Sequence, residues 1–140
     1  MADKQIKAYL IDPELRRIEL VDLDAKDPLV RVRELIGAKG LDHGLISDML
    51  DTIWLYEFGL LDGKPICAFK LPTTHNPFAG KAVIIGTGER GEAKAPYVPI
   101  EMIRRDIEWL GTIVPAVDWI EQPNGLCAVV TYSRPKEAKR

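Results

Sequence analysis

The sequence predicts an α+β fold, with a hairpin-rich antiparallel or mixed sheet and two amphipathic helices packed on it. Short apolar runs recur in neighbouring pairs separated by turn residues, which is typical of β-hairpins. Two other segments carry apolar residues at helical spacing. The predicted order is strand, strand, helix, four strands, helix, two strands, without the regular strand–helix alternation of a doubly wound sheet.

The first hairpin is predicted from residues 6–11 and 18–23. In the turn between them, Pro13 fixes its own φ angle, and the Asp12 side chain can accept hydrogen bonds from the amides ahead. In the second strand the alternation of apolar and polar residues slips by one position at Val21, which predicts a β-bulge.

The first helix is predicted to begin at Asp27 and Pro28 and to stop at Gly37. Asp27 is a favourable N-cap residue, and Pro28 suits the first helical position because the amide there needs no partner. Gly37 supplies the C-terminal stop. The apolar positions at helical spacing are Leu29, Val32, Leu35 and Ile36.

The middle of the chain predicts a second hairpin, turning about Asp51, and two further strands. A loop over residues 72–81 separates the last two strands. The four strands cover residues 45–50, 52–58, 66–71 and 82–85.

A second helix is predicted from Pro99 to Gly111 or Pro115, because Ile100, Ile103, Ile107 and Leu110 make one apolar face. A third hairpin follows over residues 117–121 and 126–132, where Asn124 and Gly125 form a strong tight-turn signal. Tryptophan occurs within these secondary-structure runs, so core packing is predicted for Trp54, Trp109 and Trp119.

The 140 residues suit one α+β domain over 1–133, followed by a basic, frayed tail over 134–140. Cys67 and Cys127 lie in apolar runs and are predicted to be buried thiols. No basic segment with a long apolar core follows the N-terminus, so we expect a cytoplasmic protein that is not inserted in a membrane. A net charge of -2 makes nucleic acid an unfavourable partner.

Two glycine-rich segments resemble phosphate-binding motifs in their spacing. Residues 86–91 match G-x-G-x-x-G after a strand, but a dinucleotide site needs a helix to begin at once, and none is predicted before Pro99. Glu89 and Glu92 would also repel a phosphate. Residues 59–64 are one residue too short for a P-loop, so both segments are interpreted as turns.

The sequence predicts no catalytic residue, metal or cofactor. His43 and His75 are the only histidines, and their spacing from the two cysteines is not that of a metal site. His75 lies in a polar loop that could hold a general base, but no serine or cysteine nucleophile lies nearby in the sequence.

Three segments together resemble a group of small uncharacterised bacterial proteins, found mainly in proteobacteria and often on phage, plasmid or other mobile DNA. They are the run from Ile6 to Pro13, the motif Gly59-Leu60-Leu61-x-Gly-x-Pro65, and the motif from Pro77 to Gly86. The resemblance covers residues 5–110 and excludes the last hairpin. Its motifs are structural, and it implies no activity, cofactor or catalytic residue.

Two functional hypotheses follow, with nucleic-acid binding as a less favoured third. The favoured hypothesis is a non-enzymatic accessory domain that binds a protein partner or associates with itself through free strand edges. The alternative is a binder of a small anionic ligand, or a small enzyme, that uses the loops 73–81 and 86–91. Its candidate ligand-binding residues are Thr74, His75, Asn76, Lys81, Thr87 and Arg90.

Overall fold

The computed structural model describes residues 4–45, 51–56, 59–72 and 76–135. In these residues the fold is α+β, and every described strand pair is antiparallel. The elements are β1 (Gln5–Asp12), β2 (Arg17–Asp24), α1 (Pro28–Ile36), β3 (Leu41–Leu45), β4 (Asp51–Tyr56), β5 (Ile66–Lys70), β6 (Phe78–Ala79), β7 (Ala82–Thr87), β8 (Ala93–Lys94), α2 (Ile100–Asp106), β9 (Glu108–Gln122) and β10 (Gly125–Ser133).

The described strands form two sheets. The larger sheet has the order β2-β1-β7-β4-β3, with β8 paired to β7. The smaller sheet has the order β10-β9-β5-β6. Helix α1 covers one face of the larger sheet, where Val32 of the helix packs in one cluster with Leu10 of β1. The other face of the larger sheet packs through Ile11 against Phe69 of the smaller sheet and Ile103 of α2. Strand β1 is therefore buried on both faces.

The first hairpin is confirmed. Asp12 Oδ1 accepts hydrogen bonds from the backbone amides of Glu14 (3.0 Å) and Leu15 (3.3 Å), as its position before Pro13 predicts. The predicted bulge at Val21 is wrong. The register runs one to one from Gln5–Asp24 to Asp12–Arg17, because β2 is an outer strand whose exposed face accepts apolar side chains.

The first helix also has its predicted bounds. Pro28 occupies the first turn, and Gly37 ends the helix at φ 78°, a left-handed conformation that glycine adopts at little cost. The N-cap position is Asp27, but its side chain makes no capping hydrogen bond.

The second predicted hairpin is shifted along the chain. Strand β3 comes earlier, at Leu41–Leu45, and pairs with β4, which begins at Asp51. Most of the predicted strand 45–50 lies outside the described residues. Asp51 is not a turn residue, because it is buried at the start of β4 opposite Gly86.

The predicted extent of the second helix is wrong. Helix α2 ends at Asp106, and Ile107 is extended, with ψ 138°. Strand β9 then pairs with β5, and Leu110 falls in a β-bulge before Gly111, which takes φ 70°. Sheet pairing therefore overrides the helical spacing that Ile107 and Leu110 completed.

Two core predictions are also corrected. Trp119 is 61% exposed, because the end of β9 extends beyond the packed sheets. Both cysteines are free, but Cys127 is exposed and Cys67 is only half-buried, with its Sγ 3.5 Å from Thr112 Oγ1.

Candidate functional site

The described parts of the two candidate loops, 73–81 and 86–91, border opposite ends of β7. Lys81 immediately precedes the strand, and Thr87 ends it. Five residue steps separate Ala82 from Thr87, which corresponds to about 16 Å in an extended strand. The described parts of the loops 73–81 and 86–91 therefore do not converge on one pocket. Thr74 and His75 lie outside the described residues, and Asn76 is exposed two residues before β6 begins.

The described candidate residues also border different clefts. Lys81 lines an open cleft of about 470 Å³. Thr87 lines a second cleft of about 520 Å³ beside the start of α1. Arg90 and Tyr97 line a third cleft, of about 700 Å³. Glu92 borders the last two clefts, where its negative charge offsets the positive charge of Lys26 in one and of Lys94 in the other.

The loop after β7 satisfies its own backbone amides. The amide of Arg90 donates to Glu92 Oε2 at 2.9 Å, and the amide of Gly88 donates to the Glu92 carbonyl at 2.8 Å. The following residues enter β8, and the next described helix begins at Ile100. A phosphate held by these amides would have to displace the Glu92 carboxylate, so the prediction that this loop is a turn agrees with the geometry.

The described residues contain no group of three or more histidine, cysteine or acidic side chains arranged to hold a metal ion. His43 is exposed on β3 and stacks on Trp54, with the ring centroids 4.9 Å apart.

A buried carboxylate links β4 to the segment before α2. Asp51 accepts hydrogen bonds from the amides of Tyr97 (2.8 Å) and Val98 (2.9 Å), and it is completely buried. The Tyr9 hydroxyl donates to the Val98 carbonyl at 2.8 Å. Because the carboxylate is enclosed and bonded to the backbone, its role is to position this segment. The sequence carried no signal for this role, since 46 residues separate Asp51 from Tyr97.

The pKa of Tyr9 is raised above its ordinary value of 10.0. Burial of the phenol is the largest cause, and the negative charge of Asp51 is the second. The neutral phenol is therefore the favoured form, and it can donate its hydrogen bond throughout the neutral pH range.

Among the described residues, the hairpin of β9 and β10 carries five of the ten exposed large apolar side chains. From Val114 to Gln122, β9 pairs with β10, whereas the earlier part of β9 pairs with β5. We call residues 114–133 the arm. In the described part of the chain β10 pairs only with β9, so the arm is a two-stranded ribbon that extends from the smaller sheet.

One face of the arm is apolar along almost its whole length. Residues directly opposite each other in an antiparallel pair share a face. This face continues from Ile113, which is buried in the protein body, and it includes Glu121 at the tip. Trp119 is 61% exposed and Leu126 is 68% exposed. The apolar residues of the face are Pro115, Val117, Trp119, Leu126, Ala128, Val130 and Tyr132.

The sequence predicted this hairpin, but it placed the tight turn one residue late, at Asn124 and Gly125, and it did not predict the length or exposure of the hairpin. The turn lies at Pro123 and Asn124, and the register brings Gln122 opposite Gly125. The absence of lysine and arginine from residues 106–133 was the available signal for a binding surface without cationic side chains.

No helix among the described residues is both long enough and apolar enough to span a bilayer. The chain matches no protein-family model, and comparisons with curated proteins and with solved structures found no significant similarity. The resemblance to the bacterial group therefore stays a prediction. The geometry of the described residues makes the arm the strongest candidate for a functional site.

Proposed function

We propose that this protein is a non-enzymatic accessory domain of the bacterial cytoplasm and that it acts by binding another protein chain through the arm. The observation that carries the proposal is the exposed apolar face around Trp119 and Leu126. Apolar side chains that continue a core face into solvent are typical of a surface that a partner covers. An isolated two-stranded ribbon is also only marginally stable in water, so contact with a partner would stabilise it.

The charge of the arm indicates the class of partner. Asp118 and Glu121 are its charged residues, and it contains no lysine or arginine. Nucleic acids and anionic membranes are bound through cationic side chains, so both are unfavourable partners for this surface. Tyrosine and tryptophan with few charges are the composition of protein–protein contact surfaces.

The alternative site for an anionic small molecule has less support. Among its described residues, Lys81 is separated from Thr87 and Arg90 by the length of β7. The backbone amides of Gly88 and Arg90 already donate hydrogen bonds to Glu92. The observations therefore favour the arm.

In-cell photo-crosslinking tests the proposal. We expect a photoreactive amino acid at Tyr132, which is exposed on the apolar face of the arm, to form a covalent adduct with a protein. The same amino acid at Leu15, which is 63% exposed in the first hairpin turn, serves as the matched control. The adduct at Tyr132 should be lost when Trp119 and Leu126 are both changed to serine. It should persist when Leu15→Ser and Leu20→Ser are introduced together, because these residues are similarly exposed but lie outside the arm.

Absence of any protein adduct at Tyr132, or adducts of equal yield at Tyr132 and Leu15, would contradict the proposed function. The mass of the adduct also identifies the occupant, since a second copy of the chain doubles the mass.

A further inference from the structure

The outer edge of β10 lacks the features that keep strand edges apart. Among the described strands, β10 is the terminal one of its sheet, and it runs nine residues, from Gly125 to Ser133. It contains no charged residue and no proline. Exposed edge strands of soluble proteins are usually short, or carry lysine, proline or a bulge, because their free backbone groups pair readily with another strand.

We propose that β10 pairs in antiparallel fashion with β10 of a second copy of this chain, around a two-fold axis. This inference rests on the proposed function, because it names the partner that the arm binds. The two small sheets would then join into one continuous sheet across the dimer.

The charge distribution favours a second copy. Two uncharged strands can lie side by side without repulsion along their whole length. The acids of the arm, Asp118 and Glu121, lie on β9, one strand away from the new pair. In the dimer the two β9 strands would be three strand spacings apart, about 14 Å. This distance exceeds the screening length of about 8 Å at physiological salt, so the acids of the two copies would repel one another weakly.

Side-chain pairing across the axis is also complementary. With Val129 at the two-fold axis, Leu126 of one copy lies opposite Tyr132 of the other, and Ala128 lies opposite Val130. On the opposite face, Cys127 lies opposite Thr131. Apolar side chains thus meet on the apolar face of the arm, and pairs of this kind stabilise antiparallel sheets.

The size of the contact predicts a reversible dimer. Nine paired residues form about eight to ten backbone hydrogen bonds, which is close to the number in a typical protein interface. The paired edge is about 30 Å long, but it buries less surface than the roughly 800 Å² per partner of a standard interface. We therefore expect a dimer that dissociates on dilution in the micromolar range.

Sedimentation velocity of the full chain from about 1 to 200 μM measures this association, because that range brackets micromolar dissociation constants. The test variant carries Val129→Lys and Thr131→Lys, which place like charges on both edges. The control variant carries Ala116→Lys and Ile120→Lys. All four positions are exposed and share one face of the arm, but the control pair lies on β9.

We expect the β10 variant to weaken dimerisation at least about 100-fold, because like charges would face each other across the pair. The control should stay within about threefold of the wild type, since its charges lie one strand away. Circular dichroism confirms that each variant folds. In a chain that also carries Cys67→Ser and Cys127→Ser, Val129→Cys should form a disulfide-linked dimer under oxidation, whereas Ile120→Cys should not.

A monomer throughout this range, or equal weakening by the control variant, would overturn the edge-paired dimer. The proposed function is tested separately. A monomer whose arm still crosslinks to a different protein at Tyr132 retains the proposed function and loses this inference, whereas a monomer without any arm adduct contradicts both.

Discussion

The change Asp51→Ala tests whether a buried carboxylate positions the segment that leads into α2. Asp51 accepts hydrogen bonds from the amides of Tyr97 and Val98, and its side chain is completely buried. Alanine removes both acceptors and leaves the two amides without partners.

The expected loss of stability follows from these contacts. Each unsatisfied amide costs about 1–3 kcal/mol, so two cost about 2–6 kcal/mol. The variant also avoids burying a charged group, which offsets part of this loss. We expect the free energy of unfolding to fall by about 3 kcal/mol. This is a large share of the roughly 5–15 kcal/mol by which domains are stable, and it corresponds to a fall in Tm of about 10 °C.

Urea unfolding followed by circular dichroism measures this difference, and hydrogen exchange at residues 97–106 locates it. The matched control is Asp24→Ala, since Asp24 accepts one bond from the Lys26 amide at an exposed site. The control should lose less than about 1 kcal/mol. If Asp51→Ala unfolds within about 0.5 kcal/mol of the wild type, the carboxylate does not anchor this segment.

Two further predictions concern residues around the same network. Tyr9 has a raised pKa, so its contribution to stability is complete below pH 10.0 and is lost as the pH rises through the folded-state pKa. Tyr9→Phe should therefore reduce the loss of stability at alkaline pH, measured by unfolding curves at several pH values, and an unchanged pH profile would refute the assignment. At Gly86, a Cβ would overlap the carbonyl oxygen of Ala95, so Gly86→Ala should destabilise the protein by about 1–3 kcal/mol, whereas Gly44→Ala, where the space is open, should cost under about 1 kcal/mol in the same thermal melts.

Where local chemistry decides the structure, the sequence predicts it well. Asp12 and Pro13 predicted the first turn, and Gly37 predicted the end of α1, because these residues act on the backbone within a few positions. Residues 107–115 show the opposite case. Ile107 and Leu110 complete a helical face, but pairing of β9 with β5 satisfies the backbone of this segment in the sheet.

The candidate site depended even more on the tertiary structure. The sequence proposed that the loops around Lys81 and Arg90 converge, but β7 holds their described parts at opposite ends. It also predicted a core position for Trp119, because a strand pattern shows which side chains share a face but not whether anything covers that face.

The sequence by itself determined the α+β class, the first hairpin turn, the bounds of α1 and, to within one residue, the turn of the last hairpin. These depend on interactions between residues close along the chain. Only the tertiary structure decided that Asp51 is buried under a segment 46 residues away and that the arm extends from the smaller sheet as a two-stranded ribbon. Burial and strand edges depend on which distant segments meet, and local sequence does not encode that information.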